Sequence, residues 1–201
     1  MDFKKLLARV KSILLTPRTE WPVIAAEPAS TASLYTGYIL LLAALPALCL
    51  FLKFAVLGYN LPYLGATHIG VGFALSAALR SYLASVVGAY VMALIVNALA
   101  PTFGGQKDSI QALKVVAYSY TATWVAGIAM LLPVLGALIM LAALVYGIYL
   151  LYLGLPPTMK CPPEKAAAYT VVTLICAILV SALVFFILGS ALGLRSGLGL
   201  Q

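Results

Sequence analysis

Chemistry in this chain would have to come from a short polar run that interrupts an apolar stretch. Tyr118 and Thr121 share one face of a helix by their three-residue spacing, and Tyr120 and Thr123 share another. Polar side chains elsewhere could join this run if the helices pack together. The predicted polar cluster within the membrane consists of Asn97, Tyr118, Ser119, Thr121, Thr123, Tyr146 and Tyr149. Such a cluster could line a cavity that admits a lipid headgroup or a small solute.

The same side chains have a simpler interpretation. Hydroxyl groups can satisfy the backbone of their own helix, and tyrosines are common where a helix meets the membrane interface. Hydrogen bonds between membrane helices stabilise a bundle by about 0.6 kcal/mol each. The sequence favours this cohesive role over a cavity, and leaves both open.

The residue patterns that are typical of catalytic and metal-binding sites are missing from the sequence. His68 is the only histidine, and the three cysteines form no CxxC pair. We find no HExxH, GxSxG or phosphate-binding glycine motif, and no Asp or Glu inside the predicted spans. The sequence therefore predicts a protein that is not an enzyme and has no cofactor and no metal ion.

Composition indicates a membrane protein. The chain has 201 residues, of which 64% are hydrophobic and only 8% charged, far from the balance of soluble domains. Its net charge of +7 is dispersed along the sequence without a basic and aromatic binding motif, which argues against nucleic acid as a partner. At about 20 apolar residues per crossing, the chain could hold at most six or seven transmembrane helices.

Charged residues divide the chain into spans. The apolar runs between them predict five transmembrane helices, at residues 34–52, 81–100, 115–132, 135–153 and 166–194. The glycine-rich stretch 57–79 predicts an extracytoplasmic loop whose later part begins the second helix. The predicted fold is thus all-α: a cytoplasmic segment at 1–33, a five-helix bundle at 34–194 and a short extracytoplasmic tail at 195–201.

The distribution of cations predicts the orientation. With a cytoplasmic N-terminus, nine cations fall on the cytoplasmic side: Lys4, Lys5, Arg9, Lys11, Arg18, Lys107, Lys114, Lys160 and Lys165. The other side receives Lys53, Arg80 and Arg195. Because cytoplasmic loops carry the excess of Lys and Arg, this arrangement is the expected one. Five spans then place the C-terminus on the extracytoplasmic side of the membrane.

An amphipathic helix is predicted before the first span. Phe3, Leu6, Val10 and Ile13 recur at helical spacing, with lysines on the opposite face. Such a helix should lie on the cytoplasmic leaflet, where each cation contributes about 1 kcal/mol of attraction to anionic lipid. The predicted anionic-lipid contacts are Lys4, Lys5, Arg9, Lys11, Lys107, Lys114, Lys160 and Lys165.

Several segments in a fixed order resemble the Yip (Ypt-interacting protein) family, particularly its bacterial branch. They are Pro17-Arg18-Thr19-Glu20-Trp21, Phe103-Gly104-Gly105, Ala117-Tyr118-Ser119, Leu132-Pro133-Val134-Leu135-Gly136, Tyr146-Gly147-Ile148-Tyr149 and Pro163-Glu164-Lys165-Ala166. The resemblance implies five transmembrane helices, a cytoplasmic N-terminus and, for the eukaryotic relatives, binding of lipidated Rab-type GTPases. The chain lacks the DLxGP motif and the long N-terminal domain of those relatives.

These observations predict a non-enzymatic protein of a bacterial or archaeal plasma (inner) membrane. It would organise the membrane, or recruit protein or lipid partners, through its basic cytoplasmic face. The expected partners are the bilayer and its anionic lipids, with an unidentified protein and a second copy of the chain also open. The alternative is a transporter or channel that passes a small solute or lipid through the polar cluster.

Overall fold

The fold is described by a computed structural model that covers residues 3–57, 59–61, 65–67, 70–132 and 134–191. His68, Arg195 and the predicted tail at 195–201 lie outside these residues. Within them the chain is helical apart from one small hairpin of strands. The predicted all-α class is therefore confirmed.

Two short helices form an N-terminal hairpin. Helix α1 spans Phe3–Leu15 and α2 spans Pro17–Ala26. Pro17 lies in the first turn of α2, where its missing N–H costs nothing. The corner between the two helices is a single residue, Thr16, so the two helices lie side by side.

A long helical run follows the hairpin. It begins with α3 (Thr31–Leu34), passes through a π-helical turn at Tyr35–Ile39, continues as α4 (Leu40–Leu52), and ends in a second π-helical turn at Lys53–Leu57. Ser30 caps the start of this run, because its hydroxyl accepts a hydrogen bond from the Ser33 N–H at 3.1 Å. This capping box defines where the helix begins.

A small antiparallel hairpin joins this run to the next helix. Strands β1 (Tyr59–Leu61) and β2 (Gly65–Thr67) pair with Asn60 opposite Ala66. Helix α5 then spans Val71–Leu99. It begins ten residues before the predicted span at 81–100, in agreement with the prediction that the later part of 57–79 opens this helix. The strand pairing was not predicted.

The third predicted span is not a continuous helix. Asp108 caps α6 (Ser109–Ser119), a turn at Tyr120 separates it from α7 (Thr121–Ala126), and a 3-10 helix continues through Gly127–Leu131. The Thr123 hydroxyl donates to the Tyr120 carbonyl oxygen at 2.9 Å. Such side-chain bonds compete with the helical ladder. The prediction of one regular helix at 115–132 was therefore wrong in form.

Two further long helices complete the bundle: α8 at Leu135–Met159 and α9 at Pro163–Ala191. Four helical runs among the described residues are long and apolar enough to cross a membrane, namely Thr31–Val56, Val71–Phe103, Leu135–Met159 and Pro163–Leu183. The broken segment at 109–131 does not meet that criterion. The number of five crossings thus stays a prediction.

The two basic loops lie against each other at one end of the bundle. The Gln106 N–H donates to the Met159 carbonyl oxygen at 2.8 Å. A Cβ on Gly104 would lie 3.7 Å from the Lys165 Nζ atom. The end of α5, the start of α6, the end of α8 and the start of α9 therefore meet here. We call this the basic end.

Packing of the N-terminal hairpin against the bundle depends on Gly154 in α8. A Cβ at this position would lie 2.6 Å from Trp21 Cζ2 and 2.7 Å from Val115 Cγ2. We expect Gly154→Ala to lower the free energy of unfolding by about 1 to 3 kcal/mol through overpacking. Thermal unfolding in detergent micelles measures this.

The matched control is Gly88→Ala in α5, where no atom lies within 4 Å of the added Cβ. This change should stabilise the helix by about 0.5 to 1 kcal/mol. Equal effects of the two substitutions would contradict the close contact between α2 and α8.

Candidate functional site

Two residues of the predicted polar cluster, Tyr118 and Thr121, both contact Tyr38. We call this group the closed contact. The Tyr38 and Thr121 hydroxyl groups share a hydrogen bond of 2.6 Å. The ring of Tyr118 lies 4.5 Å from that of Tyr38 and meets the Trp21 ring edge-on at 6.3 Å. All four residues are buried. This part of the cluster is packed protein interior rather than the wall of a cavity.

The other members of the cluster lie elsewhere. The Asn97 side chain donates to the Ser109 hydroxyl at 3.3 Å, near the basic end. The Tyr146 hydroxyl donates to the Leu14 carbonyl oxygen at 2.8 Å, and the Tyr149 ring lies 5.8 Å from that of Tyr146. Ser119 and Thr123 face a separate pocket. The predicted cluster is thus divided among four places.

A network of charges holds the N-terminal hairpin together. The Arg9 guanidinium pairs with the carboxylates of Glu20 and Glu27. Burial opposes the charged form of Arg9, but the hydrogen bond and charge of Glu27 and the charge of Glu20 outweigh it and raise the pKa of Arg9. The Arg9 guanidinium is therefore paired with carboxylates of the protein itself.

Lys114 connects this hairpin to the bundle. Its side chain is 2% exposed and its ammonium group donates to the carbonyl oxygens of Ile24, at 2.9 Å, and Glu27. Gln111 adds a bond of 2.9 Å to the Ala25 carbonyl oxygen. Burial lowers the pKa of Lys114, although the negative charges of Glu27 and Asp108 oppose the shift. Together these donors satisfy the C-terminal end of α2.

Two of the predicted anionic-lipid contacts are therefore used inside the molecule. Arg9 pairs with two carboxylates, and Lys114 bonds with backbone carbonyls beneath the surface. Charge and position along the chain gave no sign of this, because both roles depend on how α2 folds back. One sequence pattern could have indicated the role of Arg9. The carboxylates of Glu20 and Glu27 are seven residues apart, which is about two helical turns.

The other seven of the nine cations predicted on the cytoplasmic side are exposed. They are Lys4, Lys5, Lys11, Arg18, Lys107, Lys160 and Lys165. Lys107, Lys160 and Lys165 belong to the two loops that meet at the basic end. Asp108 and Glu164 are also exposed there, so this surface keeps an excess of positive charge.

The N-terminal hairpin lies along the side of the bundle rather than across its end. Tyr146 bonds to Leu14 and lies thirteen residues before Met159, which is about 20 Å along α8. Leu6 and Ile13 are buried against the protein, whereas Leu7 and Leu15 are exposed. Part of the apolar face of α1 therefore packs against the protein, and part of it is exposed. The position of α1 on the cytoplasmic leaflet stays a prediction.

A pocket opens between the central segment and the last two helices. It has a volume of about 420 Å³ and is lined mainly by apolar side chains from α6, α7, α8 and α9. Ser119 and Thr123 lie on one wall, with Gly147 and Ala177 on the facing helices. Among the described residues, no group of three or more His, Cys, Asp or Glu side chains is close enough to hold a metal ion.

Comparison with known proteins gives a family and similar inner membrane proteins. The family model of the Yip1 domain matches residues 11–191. The inner membrane protein YohC of Escherichia coli strain K12 is 27% identical over 176 residues, which cover 87% of this chain and 90% of that protein. YohC of Escherichia coli strain O6:H1 matches equally well. No solved structure matches.

The connection through Lys114 can be tested by substitution. Lys114→Met removes the donor and leaves the buried carbonyl groups of Ile24 and Glu27 without it. We expect the free energy of unfolding to fall by about 1 to 3 kcal/mol, measured by thermal unfolding of the detergent-solubilised protein.

Lys107→Met provides the control, since Lys107 is exposed and a surface substitution changes stability by about 0.5 kcal/mol or less. If both variants unfold at the temperature of the unsubstituted protein, Lys114 does not secure α2.

Proposed function

Because the chain belongs to the Yip1 domain family, we propose that it is a non-enzymatic inner-membrane protein that recruits anionic lipid and a protein partner through its basic end. The inner-membrane location rests on the similarity to YohC and on the long apolar helices. The basic end supplies a charged surface, and the sequence contains none of the catalytic motifs sought above. Its role is to organise the membrane around it.

We propose that the chain crosses the membrane five times, which puts both basic loops on the same side. Gln106 and Met159 are hydrogen bonded, so the chain leaves α5 and leaves α8 at the same end. Helix α8 crosses once between these points. The segment 109–131 must then carry the chain to the opposite end, where a Cβ on Gly136 at the start of α8 would meet the Ala129 carbonyl group. This geometry supports a broken but complete third crossing.

The lengths of the helices support a basic end that projects from the hydrocarbon core. Helices α5 and α9 contain 29 residues each, which is about 43 Å at the rise of an α-helix. A hydrocarbon core is about 30 Å thick. Roughly 13 Å of helix therefore extends beyond it. We place Arg9, Lys114 and their partners at the level of this excess, outside the hydrocarbon core, where charge costs least.

The observation that carries the proposal is the adjacency of the two loops. Lys107, Lys160 and Lys165 are exposed on a surface that a backbone hydrogen bond holds together. Cations within reach of an anionic leaflet contribute about 1 kcal/mol each. Lys4, Lys5 and Lys11 on α1 extend this charge around the side of the bundle. The positive-inside rule assigns the whole surface to the cytoplasm.

One feature favours the alternative of a transporter. The central segment is broken at Tyr120, and transporters bind solutes at broken helices near the midplane. However, Tyr118 and Thr121 bond or pack with Tyr38 in a closed contact, and Asn97 lies near the basic end. A polar path through these groups is thus less well supported than recruitment at the basic end.

The recruitment proposal predicts a loss of anionic lipid when the loops are neutralised. In the triple variant Lys107→Gln, Lys160→Gln and Lys165→Gln, attraction should weaken by about 3 kcal/mol at low salt and by less above 0.1 M, where the screening length is about 10 Å. Native mass spectrometry of protein purified from vesicles of mixed phosphatidylglycerol and phosphatidylcholine measures the ratio of retained lipids.

Arg80→Gln is the control for this experiment, because Arg80 is exposed near the opposite end of α5. An unchanged lipid ratio in the triple variant would refute recruitment of anionic lipid at the basic end. Cross-linking in native membranes, with the same variants, separately reports whether a protein partner depends on these lysines.

The topology predicts which positions are reached from outside intact cells. In a variant whose cysteines are replaced by serine, a membrane-impermeant maleimide should label Ala66→Cys and Gln201→Cys. It should not label Lys107→Cys or Lys160→Cys until the cells are opened. Labelling of Lys107→Cys and Lys160→Cys from opposite sides would contradict the five-crossing arrangement.

A further inference from the structure

The pocket beside the broken central segment lies at the middle of the bundle. Gly147, on its wall, is twelve residues from each end of α8, or about 18 Å. Leu174, on the facing wall, is eleven residues into α9, or about 17 Å from the basic end. Even with a projecting basic end, these depths lie inside the hydrocarbon core. The medium that surrounds the pocket is therefore lipid.

The mouth of the pocket is continuous with the outer surface of the bundle. Leu144 and Ile178 line it from α8 and α9, and their side chains are 54% and 67% exposed. Both residues face the bilayer, so the pocket opens sideways, between two helices. The polar groups inside are few. The Thr123 hydroxyl already bonds to the Tyr120 carbonyl oxygen, so the wall offers a ligand mainly apolar contact.

The dimensions of the pocket select among occupants. It extends over eight residues of α8, from Leu144 to Leu151, and eight of α9, from Leu174 to Ser181. Their seven helical rises amount to about 10 Å. The volume of about 420 Å³ is spread along that length, so the cross-section of the pocket is narrow. Its walls belong to helices that pack directly on one another, α6 on α8 and α8 on α9. An α-helix with its side chains is about 10 to 12 Å wide, so a helix from a second copy does not fit between them.

We propose that this pocket binds one hydrocarbon chain of a membrane lipid, which enters sideways between α8 and α9. Carbon atoms in contact lie about 3.5 to 4.0 Å apart, so a single chain fits within the cross-section. Its volume also falls in the range of about 300 to 1,000 Å³ that is usual for binding pockets. Binding here uses apolar contact inside the hydrocarbon core and is independent of the anionic headgroups attracted to the basic end.

Ala177 provides a position at which the pocket can be filled. It lies on the wall, and Phe in its place would occupy the space of the chain. Ala182 lies on the same helix, is exposed, and is not part of the pocket. Ala177→Phe and Ala182→Phe therefore add the same group inside and outside the site.

The test uses the full chain in vesicles of phosphatidylcholine that contain a small fraction of phosphatidylcholine with a diazirine in the middle of one acyl chain. After irradiation, mass spectrometry of peptides locates the attached lipid. We expect Gly147, Leu151 and Leu174 to be labelled. Ala177→Phe should reduce this labelling several-fold without changing the labelling of exposed Ile175, and Ala182→Phe should change neither.

The proposal is wrong if the pocket wall is unlabelled, or if Ala177→Phe leaves its labelling unchanged. Cross-links between two copies through these residues would instead assign the pocket to an interface. Should Ala177→Phe fail to fold, Ser181→Phe fills the outer part of the same pocket and decides the question. Because these vesicles contain no anionic lipid, the outcome is independent of recruitment at the basic end.

Discussion

The C-terminal carbonyl groups of α2 need donors inside the protein, and Gln111 and Lys114 of α6 provide them. This contact fixes where the N-terminal hairpin lies. Once α2 is held against α6, Trp21 must pack on Gly154, and Arg9 reaches both Glu20 and Glu27. The Lys114 ammonium group would be costly to bury among apolar groups, but here the carbonyl oxygens of Ile24 and Glu27 accept its hydrogen bonds.

The central segment carries a second set of contacts. Residues 112–119 are all buried, so α6 has protein on every side and needs no lipid-facing surface. Its break at Tyr120 is tolerated because neighbouring helices enclose it. The closed contact of Tyr38, Tyr118 and Thr121 lies on one side of this segment, and the apolar pocket on the other. The contacts that hold the helices together therefore lie on one side of the central segment, and the proposed lipid pocket lies on the other.

The sequence predicted where the long helices lie, because Lys53 follows the apolar run of α4 and Lys165 precedes that of α9. It placed the start of α5 ten residues late, because Arg80 lies inside that helix. It did not predict the break at Tyr120, since hydrophobicity does not report the path of the backbone. Tyr118 and Thr121, which helical spacing places on one face, both contact Tyr38. Asn97 and Tyr146 lie apart from them, because helical spacing does not report which helices pack together. The role of Arg9 was missed because its partners lie across a helical corner, eleven and eighteen residues away.

The bond between Lys114 and α2 also orders events during synthesis. The donor follows its acceptor by 90 residues, and ribosomes add about 5 to 20 residues per second. The N-terminal hairpin is thus made roughly 5 to 18 s before the helix that secures it can reach it. During this interval another group must satisfy its carbonyls. The hairpin can therefore dock on α6 only after Lys114 has left the ribosome.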